Sequence, residues 1–283
     1  MSCRTLFMLI CLSFGMFVQL VHADKNQDFL QSIETGNMQD FEKLLKKGAS
    51  PDAVDKDKHS ALLLAIYNNR PEMLKELIAA KANLNVIWPE NNLSPVLLAI
   101  FKKSPEMAKM LVDAGADVKA VDKDGLNALW WAAESEYSEL GVAVAKAGAD
   151  PNHADSDNGY TPLITTAENG DAALAQAIIN AKANLNIQDK NGLTALIWAS
   201  QKGHADVVKA LLAGGADSKI TDSKGFNALH AAASEGKTEA VQVLIQGGAD
   251  INAKTKDGGT ALLLATQAGH TDTAEVLKKA GAK

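Results

Sequence analysis

Thr194-Ala-Leu-Ile-Trp-Ala-Ser-Gln-Lys-Gly203 runs directly into His204-Ala-Asp-Val-Val-Lys-Ala-Leu-Leu-Ala-Gly-Gly-Ala-Asp217, and this stretch decides the fold. Ala195, Leu196, Ala199 and Ser200 are small or apolar at helical spacing, so a neighbouring helix can approach closely. Gly203 ends this first helix, because a left-handed residue at that place carries no Cβ penalty. A second helix is predicted from about Asp206 to Leu212, with Val207, Val208, Leu211 and Leu212 on one stripe. Asp206 falls in its first turn, where negative charge suits the helix dipole. Gly215-Ala-Asp217 stops it, and Lys219-Ile-Thr-Asp-Ser-Lys-Gly225 has the polar, Gly-containing chemistry of a hairpin tip. Neither helix is long enough to be stable alone.

The stretch is one copy of a repeat. Hexamers related to Thr194–Ala199 begin at Ser60, Ser94, Asn127, Thr161, Asn227 and Thr260, so successive starts lie 34, 33, 34, 33, 33 and 33 residues apart. Nine residues after each start stand Asn69, Lys103, Glu136, Gly170, Gly203, Gly236 and Gly269. A third column, Gly115-Ala-Asp117, Gly148-Ala-Asp150, Gly215-Ala-Asp217 and Gly248-Ala-Asp250, keeps the same register. Units of this kind bury their Ala and Leu columns by stacking, which makes regularity a condition of stability.

The period, the hexamer Thr161-Pro-Leu-Ile-Thr-Thr166 and the fuller match Asn227-Ala-Leu-His-Ala-Ala232 resemble the ankyrin repeat. Gly203-His204 and Gly269-His270 resemble that family's Gly-His turn, and Gly248-Ala-Asp-Ile-Asn252 its repeat ending. The resemblance runs from about Asp28 to Gly281 and implies an all-α repeat solenoid with short β-hairpin tips. It divides the chain into 1–23, a leader; 24–52, an N-terminal capping helix pair; and 53–283, seven repeats of which the last acts as C-terminal cap. The pattern has departures. The hexamer His survives only at His230, and Lys81 and Lys182 replace the turn Gly, at about 1 kcal/mol each if the left-handed geometry is kept. Ile87-Trp-Pro-Glu-Asn-Asn-Leu93 is an irregular tip, and an extra residue sits near Asp155.

At the N-terminus, Arg4 precedes an apolar run from Leu6 to Leu20, and Val21-His22-Ala23 follows. This reads as a secretory leader cut before Asp24; an uncleaved anchor needs roughly 20 apolar residues. A lipid anchor on Cys11 is disfavoured by bulky Ile10 before it. Cys3 and Cys11 are the only cysteines, so the mature chain has no thiol chemistry, no disulfide and no zinc–cysteine site. An exported chain without disulfides points first to a periplasm and second to the extracellular medium. The formal charge is −6 with the leader. Nucleic-acid binding, which draws on clustered Lys and Arg, is not expected.

Ankyrin arrays imply a protein partner along the hairpin tips and the concave face of the first helices. Two columns map there. Before each hexamer stand His59, Leu93, Leu126, Tyr160, Leu193, Phe226 and Gly259, of which five consecutive members form an apolar ridge. The alternative for this column is that Leu and Phe pack each hairpin against its neighbour. Seven residues after each hexamer start stand Tyr67, Phe101, Glu134, Glu168, Gln201, Ser234 and Gln267. Tyr67, Phe101 and Trp88 are the aromatic candidates for partner contact, and Glu134, Glu168, Gln201 and Gln267 make the later units polar. Trp130, Trp131 and Trp198 are expected in the core, as large aromatics bury most of their area. His204 and His270 are expected to bond to backbone, and Asp155-Ser-Asp157-Asn-Gly159 to be a hairpin tip rather than a calcium loop, since the Gly at loop position six and the closing Glu are missing.

No nucleophile elbow, phosphate loop, dinucleotide fingerprint or His-Glu-x-x-His helix is present. The expectation is a non-enzymatic adaptor, monomeric alone, without cofactor or metal, binding one protein partner and not inserted in a membrane after leader removal. A secreted effector that occupies a host or competitor protein is the second reading, and a small-molecule or metal chaperone the third. Asn92-Leu-Ser94 is a formal glycosylation sequon that matters only in a eukaryotic secretory pathway.

Overall fold

The computed structural model describes residues 25–283; the expected leader lies outside them. The described residues form two compact units, one ending at Asp117 and the other spanning Val118–Lys283. Both are arrays of short antiparallel helix pairs.

Unit 1 holds α1 (25–35) and α2 (Met38–Lys46), then α3 (Ala61–Tyr67), α4 (Pro71–Ala79), α5 (Pro95–Phe101) and α6 (Pro105–Asp113). Unit 2 continues the pattern with α7 (Ala128–Glu134), α8 (Ser138–Lys146), α9 (Pro162–Asn169), α10 (Ala172–Asn180), α11 (Ala195–Lys202) and α12 (Ala205–Ala213). It ends with α13 (Ala228–Ser234), α14 (Thr238–Gln246), α15 (Ala261–Gln267) and α16 (Thr271–Lys279).

Each hexamer opens a helix because its first residue is the N-cap. Ser60, Ser94, Thr161, Thr194 and Thr260 accept the backbone N–H three residues on, and Asn127 and Asn227 do the same through their amide oxygens. The first helices end where the register demands a left-handed residue. Gly170 and Gly203 supply it at φ +83° and +86°, whereas Asn69, Lys103 and Glu136 adopt it at φ 55–59° despite their Cβ atoms. Lys81 (φ 61°) and Lys182 (φ 67°) also keep the left-handed geometry at the end of the second helices. Gly170 has a second constraint: a Cβ there would lie 2.5 Å from His204 Nδ1.

Stacking supplies the stability that helices of seven to nine residues lack. Within unit 1, α3 packs on α5 and α4 on α6; within unit 2, α7, α9, α11, α13 and α15 form one layer and α8, α10, α12, α14 and α16 another. Leu62, Leu74, Leu97 and Leu111 fill the core of unit 1, and Leu129, Val207, Val208, Leu229 and Leu244 that of unit 2. Each buried side chain of this size contributes roughly 1.5–3 kcal/mol. At α12 the predicted stripe holds for Val207, Val208 and Leu211, all fully buried, with Leu212 half-buried.

Polar ladders tie successive pairs together. Asp52 and Asn85 in unit 1 accept the backbone N–H of Asn83 and Asp117, and Asn152, Asn186 and Asn252 in unit 2 accept those of Asn184, Asp217 and Lys283. His204 and His270 bond, as expected, to the carbonyls of Glu168 and Ser234 at 3.0 and 3.1 Å. His230 is buried, accepts the Asn227 N–H through Nδ1 and meets the Ala253 carbonyl through Nε2 at 3.0 Å.

Candidate partner-binding surface

Five hairpin tips are closed by an aspartate (Asp55, Asp122, Asp155, Asp189 and Asp222), while Asn91 accepts the Leu93 N–H and the Thr255 hydroxyl that of Gly259. Asp122 Oδ1 accepts the N–H groups of Asp124 and Leu126, Asp189 Oδ1 those of Asn191 and Leu193, and Asp222 Oδ1 those of Lys224 and Phe226. This closure corrects the ridge drawn from the sequence. Pulling the N–H of the tip residue back onto the accepting side chain turns its own side chain towards the protein. Leu93 and Leu126 are buried, and Tyr160, Leu193 and Phe226 are half-buried.

At Asp122, Asp189 and Asp55 the second oxygen holds a ring. Asp122 Oδ2 accepts the Trp131 indole N–H at 2.7 Å, Asp189 Oδ2 that of Trp198 at 2.9 Å, and Asp55 Oδ2 meets His59 Nδ1 at 2.8 Å. The tryptophans are therefore not core residues. Trp130, Trp131 and Trp198 are half-buried, because each indole N–H needs a polar partner and finds it in a hairpin tip, not in the apolar core. A nine-residue Asp–Trp spacing, repeated at Asp122/Trp131 and Asp189/Trp198, is the sequence signal for this arrangement.

In unit 1 the aromatic candidates are partly consumed by the protein itself. The Trp88 ring stacks on His59 at 4.3 Å and on Tyr67 at 4.9 Å, and the Lys102 ammonium lies 4.0 Å from the Tyr67 centroid. Trp88 is consequently only 8% exposed and serves as packing for Tyr67, which corrects its assignment as a contact residue. Tyr67 and Phe101 remain exposed, at 47% and 42%. His59 Nε2 also meets Glu90 Oε1 at 2.7 Å. Burial opposes the charged imidazole, but the hydrogen bonds and charges of Asp55 and Glu90 outweigh it, and the His59 pKa is raised. Burial likewise raises Asp55, yet its bonds to His59 prevail and its pKa is lowered. Asp55, Asp57 and His59 lie close enough to share an ion. Both Asp55 oxygens are already occupied by the tip's own N–H groups and ring, so the cluster reads as a closed tip.

Unit 2 has a different surface. Between α7, α9 and the 155–160 tip lies a notch of about 430 Å³, walled by Trp130, Trp131 and Tyr160 and fringed by Asp124, Asp155, Asp157, Glu134 and Glu168. Trp130 donates its indole N–H to the Tyr160 carbonyl at 2.9 Å and meets Trp131 edge-on at 5.1 Å. Tyr160 in turn touches Trp198 edge-on at 5.7 Å. The extra residue of this tip is visible in its closure: Asp155 accepts the N–H groups of Asp157 and Asn158 through Oδ1 and that of Tyr160, five residues on, through Oδ2. Glu168 pairs with Lys202 at 3.0 Å, and Lys202 stands 5.5 Å from the Trp198 ring. The Tyr160 hydroxyl is pushed up to about 12 by burial first, and then by Glu168, Asp189, Asp155 and Glu134. Of the remaining candidates, Glu134 and Gln267 are exposed and Gln201 half-buried.

A family model described as ankyrin repeats matches three times, over residues 29–122, 129–222 and 211–283. The chain belongs to the ankyrin-repeat family. Members of that family are generally protein–protein interaction modules and typically non-enzymatic. A search of the curated proteins finds no match. Among the described residues no helix is long and apolar enough to cross a membrane.

Proposed function

We propose that this ankyrin-repeat protein is an exported, non-enzymatic adaptor that holds one protein partner on its hairpin tips and first helices. The supporting observation is the notch of unit 2, where half-exposed aromatic rings stand beside carboxylates on a rigid, repeat-built wall. Aromatic anchors in shaped recesses dominate the energy of protein interfaces. Export rests on the first 23 residues, and the periplasm is preferred over the medium because the mature chain is cysteine-free.

The test is photo-crosslinking in the native cell, with a reactive residue at Asn158 or Phe101, followed by mass spectrometry of the adducts. One recurrent protein adduct at defined stoichiometry is the expected result. Its absence at both positions overturns the adaptor reading. Cell fractionation with N-terminal sequencing checks export; a mature chain starting at Asp24 is expected, and a full-length cytoplasmic chain overturns that part.

A further inference from the structure

Resting on that reading, we propose that the notch between α7 and α9 receives the guanidinium of an arginine carried by a basic segment of the partner. Three features of the notch support this occupant.

The first is the unanswered charge. Asp124, Glu134, Asp155, Asp157 and Glu168 face the notch, and among the described residues no lining side chain is basic. Glu168 is offset by Lys202, and Asp155 is spent on its own tip. The carboxylates of Asp124, Asp157 and Glu134 take no hydrogen bond or ion pair among the described residues, so an incoming cation meets three available acceptors. The Tyr160 hydroxyl is pushed up first by burial and then by the surrounding carboxylates, Glu168 and Glu134 among them.

The second feature is the ring geometry. With its indole N–H held by the Tyr160 carbonyl, Trp130 is fixed in orientation, and the phenol of Tyr160 is steadied by Trp198. A cation near such rings gains from their quadrupoles. The protein already places a cation against rings elsewhere: Lys102 lies at Tyr67 and Lys202 at Trp198. At Trp130 and Tyr160 the rings and acids are present and the cation has to come from outside.

Third, arginine fits better than lysine or a divalent ion. Its planar group stacks on aromatic faces while its donors reach several carboxylates, and it is less strongly hydrated than an ammonium. A metal ion would draw on the carboxylates alone and leave the aromatic walls without a role. A recess of about 430 Å³ also admits the side chain together with flanking backbone.

The experiment uses the full chain and follows the indole N–H resonances of Trp130 and Trp131 by NMR. The probe is an acetylated Gly-Gly-Arg-Gly-Gly amide, compared with the peptide carrying citrulline, a neutral near-isostere of arginine. The arginine peptide is expected to shift both resonances and to bind about ten-fold more tightly than the citrulline peptide. Glu134→Gln combined with Asp157→Asn should remove most of that preference without changing the unfolding transition. Equal binding of the two peptides, or no shift with either, overturns the assignment. So does calcium or tetramethylammonium shifting the same resonances at lower concentration than the arginine peptide. Crosslinking separates this from the wider reading. A partner adduct at Phe101 with none at Asn158 sinks the notch and leaves the adaptor standing. An Asn158 adduct that the arginine peptide displaces, and the citrulline peptide does not, supports both.

Discussion

His59, Trp88 and Tyr67 in unit 1 and Trp130, Trp131 and Tyr160 in unit 2 are both aromatic clusters at hairpin tips beside first helices, but they meet different surroundings. In unit 1 the rings stack on one another, and the polar edges of His59 are taken by Asp55 and Glu90. In unit 2 the rings meet edge-on, their N–H groups are fixed by a carbonyl and a carboxylate, and a recess is left between them. The difference lies in how much of the attraction the protein satisfies internally. Stacking at 4.3 and 4.9 Å covers ring faces and turns Trp88 into structure. Around Trp130 and Tyr160 a recess fringed by carboxylates is left instead.

Removing one ring from each cluster breaks this comparison most directly. Trp88→Ala should destabilise unit 1 by about 3 kcal/mol, the scale of a buried aromatic truncation. Trp130→Ala should cost clearly less, since Trp130 is half-buried, and should instead abolish arginine-peptide binding. Hydrogen exchange resolved by unit is the measurement, because repeat arrays need not unfold as one step. Equal stability losses at the two positions would mean that the notch wall is core.

The tip aspartates sharpen the contrast at the next level. Asp189 is 5% exposed and serves two backbone N–H groups and the Trp198 indole, so Asp189→Ala should cost about 2–3 kcal/mol. Asp55 has the same number of partners in a wetter tip, and Asp55→Ala should cost about 1 kcal/mol. Urea titrations of the two variants check the order; a larger loss at Asp55 would reverse the ranking of the tips.

A smaller gain is expected where both units depart from the repeat in the same way. Lys81 and Lys182 hold left-handed backbone in place of Gly. Lys81→Gly and Lys182→Gly should each stabilise by about 0.5–1 kcal/mol, the left-handed strain less the added chain entropy. Because the cause is local, the two gains should match in thermal unfolding. A loss at either site would show that the lysine side chain contributes more than its backbone costs.

The fold was legible because a stacked core imposes its period on the sequence: the N-cap hexamers and turn columns fall where the helices begin and end. The site was legible in part. The register and the family resemblance single out Glu134, Glu168 and Tyr160, and the structure brings the three together around the notch. Trp88 could not be placed from sequence, since its fate depends on Glu90 and His59, 31 residues apart, meeting across an irregular tip. In the sequence Asp157 reads as part of an ordinary hairpin tip, and nothing singles out Asp124; the two tips that carry them meet at the notch only in the folded unit. The tryptophans were assigned to the core by size, a rule that fails when a tip carboxylate captures the indole N–H.

The smallest effect, in pH, distinguishes the units by sign. In 25–117 the only histidine is His59, whose pKa in the folded unit lies above the ordinary 6.5. Between those two values folded unit 1 holds more proton than the unfolded chain, so its stabilisation is complete below 6.5 and is lost as pH rises through the folded value. His230 in unit 2 is the reverse case. Burial lowers its pKa, against the upward pull of its carbonyl partners, so the unfolded chain binds the proton first and unit 2 loses stability as pH falls through 6.5. Exchange protection of α3 and α4 should therefore rise from pH 8 to pH 6, while that of α13 and α14 falls, after correction for intrinsic exchange. His59→Gln should flatten the first trend and His230→Gln the second. Trends of the same sign in both units would mean that the two carboxylates around His59 do not outweigh its desolvation, and that the unit 1 tip is held by stacking alone.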